Sequence, residues 1–208
     1  ITTAKVGAAV TISESGIEAS GIGITCANIN GGQIGGRRNI IINGAMQIAQ
    51  RGTSSTSNDG GLHCVDRFRA TYSGTDETPT QAQVDVSSGT SPYTEGFRKA
   101  FKITNGDQSN GADADDYVRI GYGIEAQDIA NSGWNYTSSS SFITFSFWVK
   151  SSVAQSFKVE LYADDGTPQA FSFDTGSLSA DTWTKIIKTI PGNSNLTFNN
   201  DNGEGLYI

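Results

Sequence analysis

The chain has 208 residues, a formal net charge of −7, 17% charged residues, 25 glycines and a single histidine. No run approaches the ~18 consecutive apolar residues of a membrane-spanning helix, and the acidic balance argues against nonspecific nucleic-acid binding, which needs Lys and Arg to neutralise phosphates. A surface built mainly from Ser, Thr, Asn and Gly suits short strands and turns better than long helices.

Residues 1–36 differ from all that follows. Ile recurs at 12, 17, 22, 24, 29 and 34 among Gly and small polar residues, with Lys5, Glu14 and Glu18 as the only charges and no aromatic ring. Alone, such a segment buries too little apolar surface to offset chain entropy. Several copies wrapping their Ile stripes around a common axis would succeed, because Gly permits tight corners and each Ile then points to a shared interior. The reading is an intertwined oligomeric β-stalk; the competing one is a flexible linker. The chain opens at Ile1 without an initiator Met and stops in Gly205-Leu-Tyr-Ile208, which reads as the start of an apolar strand, so a fragment of a longer polypeptide is expected. Cys26 and Cys64 are expected to be two free thiols, since a single distant pair does not make a disulfide scaffold.

Residues 37–208 read as one β-rich domain. Strands are predicted at 39–42, 64–72, 81–86, 97–104, 116–124, 142–150, 157–163, 169–173 and 183–190, with a helical turn near 125–131. Asp165-Gly166, between two alternating runs, is the clearest hairpin signal. In the strand from Phe142, alternation places Ile143, Phe145, Phe147 and Val149 toward a core, and Phe142, Thr144, Ser146 and Trp148 on a second face. That second face is either covered as well or carries an aromatic platform. Many short strands with long loops indicate an all-β fold, a two-sheet sandwich of the jelly-roll type.

Arg37-Arg-Asn-Ile-Ile-Ile-Asn-Gly-Ala-Met-Gln-Ile-Ala-Gln-Arg-Gly52, followed by Asp66-Arg67-Phe68, resembles the opening of a domain in bacteriophage tail-fibre and related virion proteins, many from phages of marine cyanobacteria. Ile124-Glu125, Ser146 to Lys150, Trp183 before Ile190-Pro-Gly192, and Asp201 to Gly205 fall in the order that family shows. The resemblance covers nearly all of 37–208 and breaks off at Ile208, where the family continues with further strands, leaving open an incomplete sandwich. It implies a jelly-roll similar to carbohydrate-binding modules, carried on a trimeric virion appendage, with 1–36 as a trimeric stalk. It also implies other virion proteins, and a glycan of the host surface, as partners.

The motif also has a physical reading. Asn43-Gly44 offers a positive φ that turns the chain, and Arg51 and Arg67, with Gln50 nearby, are placed to pair with Asp66 or another carboxylate. Between 37 and 70, five arginines face Asp59 and Asp66; between 107 and 128, Arg119 faces six carboxylates. These opposed patches meet either within one subunit or across an interface.

No catalytic constellation emerges. His63 is the only histidine and lies beside Cys64, but neighbours on a strand point to opposite faces. One His and two distant Cys do not supply a zinc site. Asp113-Ala-Asp-Asp116 and Asn199 to Glu204 offer oxygen ligands for a structural calcium ion, with ordinary solvated turns as the alternative. For a sugar, Trp134 and Tyr136 are the leading stacking candidates and Tyr93 the next, although a loop anchor packed on the sandwich is the more frequent role for each. The expectation is a non-enzymatic virion component without a cofactor, a tail fibre or fibre-like appendage acting in adhesion or assembly. The alternatives are a carbohydrate-binding module of an extracellular protein and a capsid decoration or tail-assembly protein without a ligand.

Overall fold

The computed structural model describes residues 10–13, 16–19, 39–106, 109–111 and 113–208. The chain divides into two units, 1–36 and 37–208. In the first, strands β1 (Val10–Ser13) and β2 (Gly16–Ala19) pair antiparallel, with Ile12 opposite Ile17. The stripe positions Ile22, Ile24, Ile29 and Ile34, with the trimeric stalk expected of them, Cys26, and the pair Arg37-Arg38 lie outside the described residues.

The second unit is mostly β-sheet. Its strands are β3 (Ser54–Ser55), β4 (Phe68–Ser73), β5 (Thr80–Asp85), β6 (Lys99–Thr104), β7 (Tyr117–Glu125), β8 (Phe142–Val149), β9 (Lys158–Ala163), β10 (Gln169–Asp174), β11 (Thr184–Pro191) and β12 (Glu204–Tyr207), with helical turns α1 (Ser91–Thr94) and α2 (Ala126–Ala130). They form a five-stranded sheet in the order β10-β9-β12-β7-β4, a two-stranded sheet β11-β8 and a three-stranded sheet β3-β5-β6. The β9–β10 hairpin closes through Asp165-Gly166, with Ala163 opposite Gln169, as the turn signal indicates. The chain's last strand, β12, lies in the middle of the large sheet. Tyr207 faces Gly123 of β7 on one side and Tyr162 of β9 on the other, and Tyr122 and Ile208 exchange two backbone hydrogen bonds of 2.8 and 2.9 Å.

One core collects side chains from all three sheets: Phe68 and Tyr122 from the large sheet, Phe101 from β6, and Ile190 from β11, together with Leu161 and Leu206. Phe68 packs edge-on to Tyr122 at 5.0 Å and lies 6.1 Å from Phe101. The predicted alternation of β8 holds, because Ile143 and Phe145 pack against this core while Phe142 is 57% exposed.

Two predicted strand segments are something else. Residues 39–42 are irregular, leading into a turn, because side chains take their backbone donors: Asn39 Oδ1 accepts from Ile41 N (3.0 Å) and the Tyr122 hydroxyl from Ile42 N (2.7 Å). Residues 64–67 form a turn in which Phe68 N donates to Val65 O and Arg67 takes φ +76°, so the strand begins only at Phe68.

Candidate functional site

The opening motif is a lock on one end of the domain. Asn43 adopts φ +58°, a left-handed conformation that Asn tolerates better than most residues. Its amide donates to Ile48 O and Asp66 O, both at 2.9 Å, and its Oδ1 accepts from Ile48 N (3.1 Å). Asp66 Oδ1 takes the Gln50 N–H (3.1 Å) and lies 3.7 Å from Arg51. Met46 joins this loop to the core through Gln83, whose amide donates to Met46 O at 2.6 Å. Next to it, the buried Asn58 and Gln81 amides hold the Ser/Thr loop, with Gln81 donating to Ser57 O and Asn58 to Pro79 O.

Arg67 turns away from Asp66 toward Glu125, with both terminal nitrogens 3.3 Å from Oε1. Burial opposes its charge, but hydrogen bonds with Tyr122 and Glu125 outweigh that and raise the guanidinium pKa. Here one arginine of the basic 37–70 segment pairs with one carboxylate of the acidic 107–128 segment within the chain.

Trp134 and Tyr136 form an aromatic cluster with Phe198. Tyr136 packs edge-on to Phe198 at 4.9 Å and lies 6.3 Å from Trp134. Trp134 is only 9% exposed and its indole N–H donates to Ser141 O at 3.3 Å; its ring is an anchor in the core rather than an open stacking platform. The Arg98 guanidinium sits 3.8 Å above the Tyr93 ring, occupying that face.

The outer face of the five-stranded sheet brings together a different set. Strand pairing puts Tyr162 (β9) beside Tyr207 (β12), ring centroids 6.3 Å apart. On the far side of Tyr207, Arg69 of β4 reaches across Gly123 to an ion pair with Glu204. Gly123 leaves room for the Glu204 carboxylate, which a Cβ there would push aside. Beside Tyr162, Ser172 donates to Glu160 Oε2 at 3.0 Å, and Arg119 stacks over Tyr117 at 4.1 Å beyond Arg69. The result is a band of half-buried phenol rings flanked by hydrogen-bonding carboxylates and guanidinium groups. Apolar ring faces with planar polar groups beside them suit a polyhydroxylated chain. Alternation in Lys158-Val-Glu-Leu-Tyr-Ala163 already sets Tyr162 on the polar face, but its pairing with Tyr207 depends on β12 inserting between β9 and β7.

Elsewhere, polar chemistry is spent on local structure. His63 Nε2 lies 2.6 Å from Asp59 Oδ1, and the hydrogen bonds from His63 and from Gly61 N hold the Asp59 carboxyl below the ordinary range. Cys64 is 1% exposed and burial pushes its thiol pKa up. Asp116 Oδ2 accepts from Asp113 N (2.7 Å) and Asp201 Oδ1 from Gly203 N (3.0 Å), one turn hydrogen bond in each calcium candidate. Among the described residues no three His, Cys, Asp or Glu side chains are grouped to hold a metal.

On the outer face of β8 and β11, Glu95 Oε2 accepts from Lys185 Nζ (2.7 Å) and from the Trp148 indole (3.1 Å). These bonds, that from Lys185 first, lower the Glu95 pKa from its ordinary 4.5. A depressed carboxyl stabilises the fold above its unfolded-state pKa and loses that contribution as pH falls through the folded value. Trp148 emission is therefore expected to change as pH drops below about 4.5, and a fluorescence titration of Glu95→Gln should lack that transition.

Comparison of the chain with protein-family models, curated proteins and solved structures finds no match.

Proposed function

We propose that the chain is a non-enzymatic component of a phage virion, a tail fibre or fibre-like appendage acting in host-surface adhesion or assembly. In this reading residues 37–208 form a jelly-roll β-sandwich that holds an extended surface glycan across the outer face of the five-stranded sheet. Residues 1–36 join three copies in a stalk, so that several weak sites act together by avidity. The observation that carries the adhesion reading is the Tyr162–Tyr207 pair beside the Arg69–Glu204 ion pair. The resemblance of Arg37 to Gly52 and Asp66 to Phe68 to phage fibre domains supports the virion assignment.

Affinity electrophoresis in gels containing host-surface polysaccharide tests it. Two ring contacts at about 1 kcal/mol each predict a loss of roughly thirtyfold for the Tyr162→Ala, Tyr207→Ala double variant. Undiminished retardation of a folded double variant would remove the sheet face as the site. Light scattering tests the stalk: a trimer reduced to a monomer by deleting 1–36 supports it, and a stable monomer of the full chain counts against it.

A further inference from the structure

The second unit contains a cavity of about 340 Å³ between the inner face of the large sheet and the β8–β11 pair, beneath the loop that follows β11. Its floor is apolar, formed by Trp134, Leu161, Ile190 and Leu206, while its polar groups come from Gln169 at the β10 start, Asn193 in the covering loop, and Thr137 and Ser139 in the loop before β8. Among the described residues no Asp, Glu, Lys, Arg or His lines it. The Asn193 amide donates to Gln169 Oε1 at 3.1 Å, joining loop to strand at the rim. The loop's close approach depends on Gly192, where a Cβ would overlap the carbonyls of Tyr136 and Ser138.

These features restrict what the cavity accepts. Protein interiors are close-packed, and a space of this size is in the range of small-molecule sites. The floor offers no free hydrogen-bonding group, since the Trp134 N–H is already given to Ser141 O. A hydroxyl pressed onto it would lose its water partners without replacement, and an ion would meet no counter-charge. An occupant suited to this lining is neutral, with an apolar substituent inward and its polar groups at the mouth beside Gln169 and Asn193.

We infer that this cavity is a second glycan subsite, taking one neutral pyranose whose methyl substituent, as in a 6-deoxyhexose or an N-acetylhexosamine, sits on the Trp134 floor while its hydroxyls meet Gln169 and Asn193. It draws on the adhesion reading only for the ligand class; the geometry is separate from the sheet face.

The test uses the full chain labelled with 15N, the Trp134 indole signal being identified by its loss in Trp134→Phe. Methyl glycosides of a 6-deoxyhexose, an N-acetylhexosamine, an unsubstituted hexose and a hexuronic acid are titrated in turn. Either or both methyl-bearing sugars should shift the indole signal, at least tenfold more tightly than the other two. Ala163→Leu, which fills the cavity from β9, should abolish the shift, and Gln169→Ala at the rim should weaken it several-fold if the filled variant does not fold. No shift with either methyl-bearing sugar, equal binding of the hexuronic acid, or a shift produced only by a medium-chain alcohol overturns the inference. Tyr162→Ala, Tyr207→Ala should leave the shift intact, so loss of polysaccharide binding and loss of the cavity site are read separately.

Discussion

Replacing Trp134 by Ala is expected to lower the unfolding free energy by about 3–5 kcal/mol, the range for deleting a buried large aromatic side chain. The ring is 9% exposed and lies 6.3 Å from Tyr136 and 6.5 Å from Phe198, so its removal strips two neighbours of their packing partner. It also leaves Ser141 O without the indole donor and enlarges the adjoining cavity. For a domain of this size the loss corresponds to a fall in Tm of roughly 10 °C. Calorimetry of Trp134→Ala and Trp134→Phe measures it, with the Phe variant recovering part of the loss through its ring. A drop below about 1 kcal/mol for the Ala variant would show that the ring carries little of the core.

Asn43→Ala is expected to destabilise by about 4 kcal/mol, from three lost side-chain hydrogen bonds at ~0.5–1.5 kcal/mol each and about 1 kcal/mol because Ala tolerates the left-handed region less well than Asn. Those bonds tie Asn43 to Ile48 and Asp66, so their loss releases the segment that carries Met46 and Gln50. Asn43→Gly separates the two contributions, because Gly accepts φ +58° but restores none of the bonds. It should be less damaging than Ala in chemical denaturation by at most about 1 kcal/mol, because the greater entropy of its unfolded chain takes back part of the relief. Equal midpoints for wild type and both variants would show that the motif is not a lock. The Ala variant should also be cut faster by protease between 44 and 52, since local opening then costs less.

Much of the strand content was legible because alternation is a local property. Phe142 to Val149 and Lys158 to Ala163 each show a period of two; the first presents the expected faces, and burial alternates in the second as well. The chain reversal at Asn43-Gly44 was legible too, because a positive φ restricts residue choice. The strand read at 39–42 failed where local apolarity met a distant competitor: the Tyr122 hydroxyl, eighty positions away, takes the Ile42 N–H. The glycan candidates show the same division. Composition can select Trp134, Tyr136 and Tyr93 as aromatic rings in polar loops, but exposure is set by what packs over them, and Phe198 and Arg98 do so here.

By itself, then, the sequence determined that the chain is β-rich, where most strands run, and which face of β8 is apolar, because these follow from neighbouring side chains and backbone sterics. Only the tertiary structure decided strand order. Inserting β12 between β7 and β9 sets Tyr207 beside Tyr162 and Glu204 against Arg69, joining residues whose separation along the chain leaves no periodic signal. The same packing covers Trp134 and leaves the cavity above it, because burial depends on the fit between sheets and loops rather than on any one segment's composition.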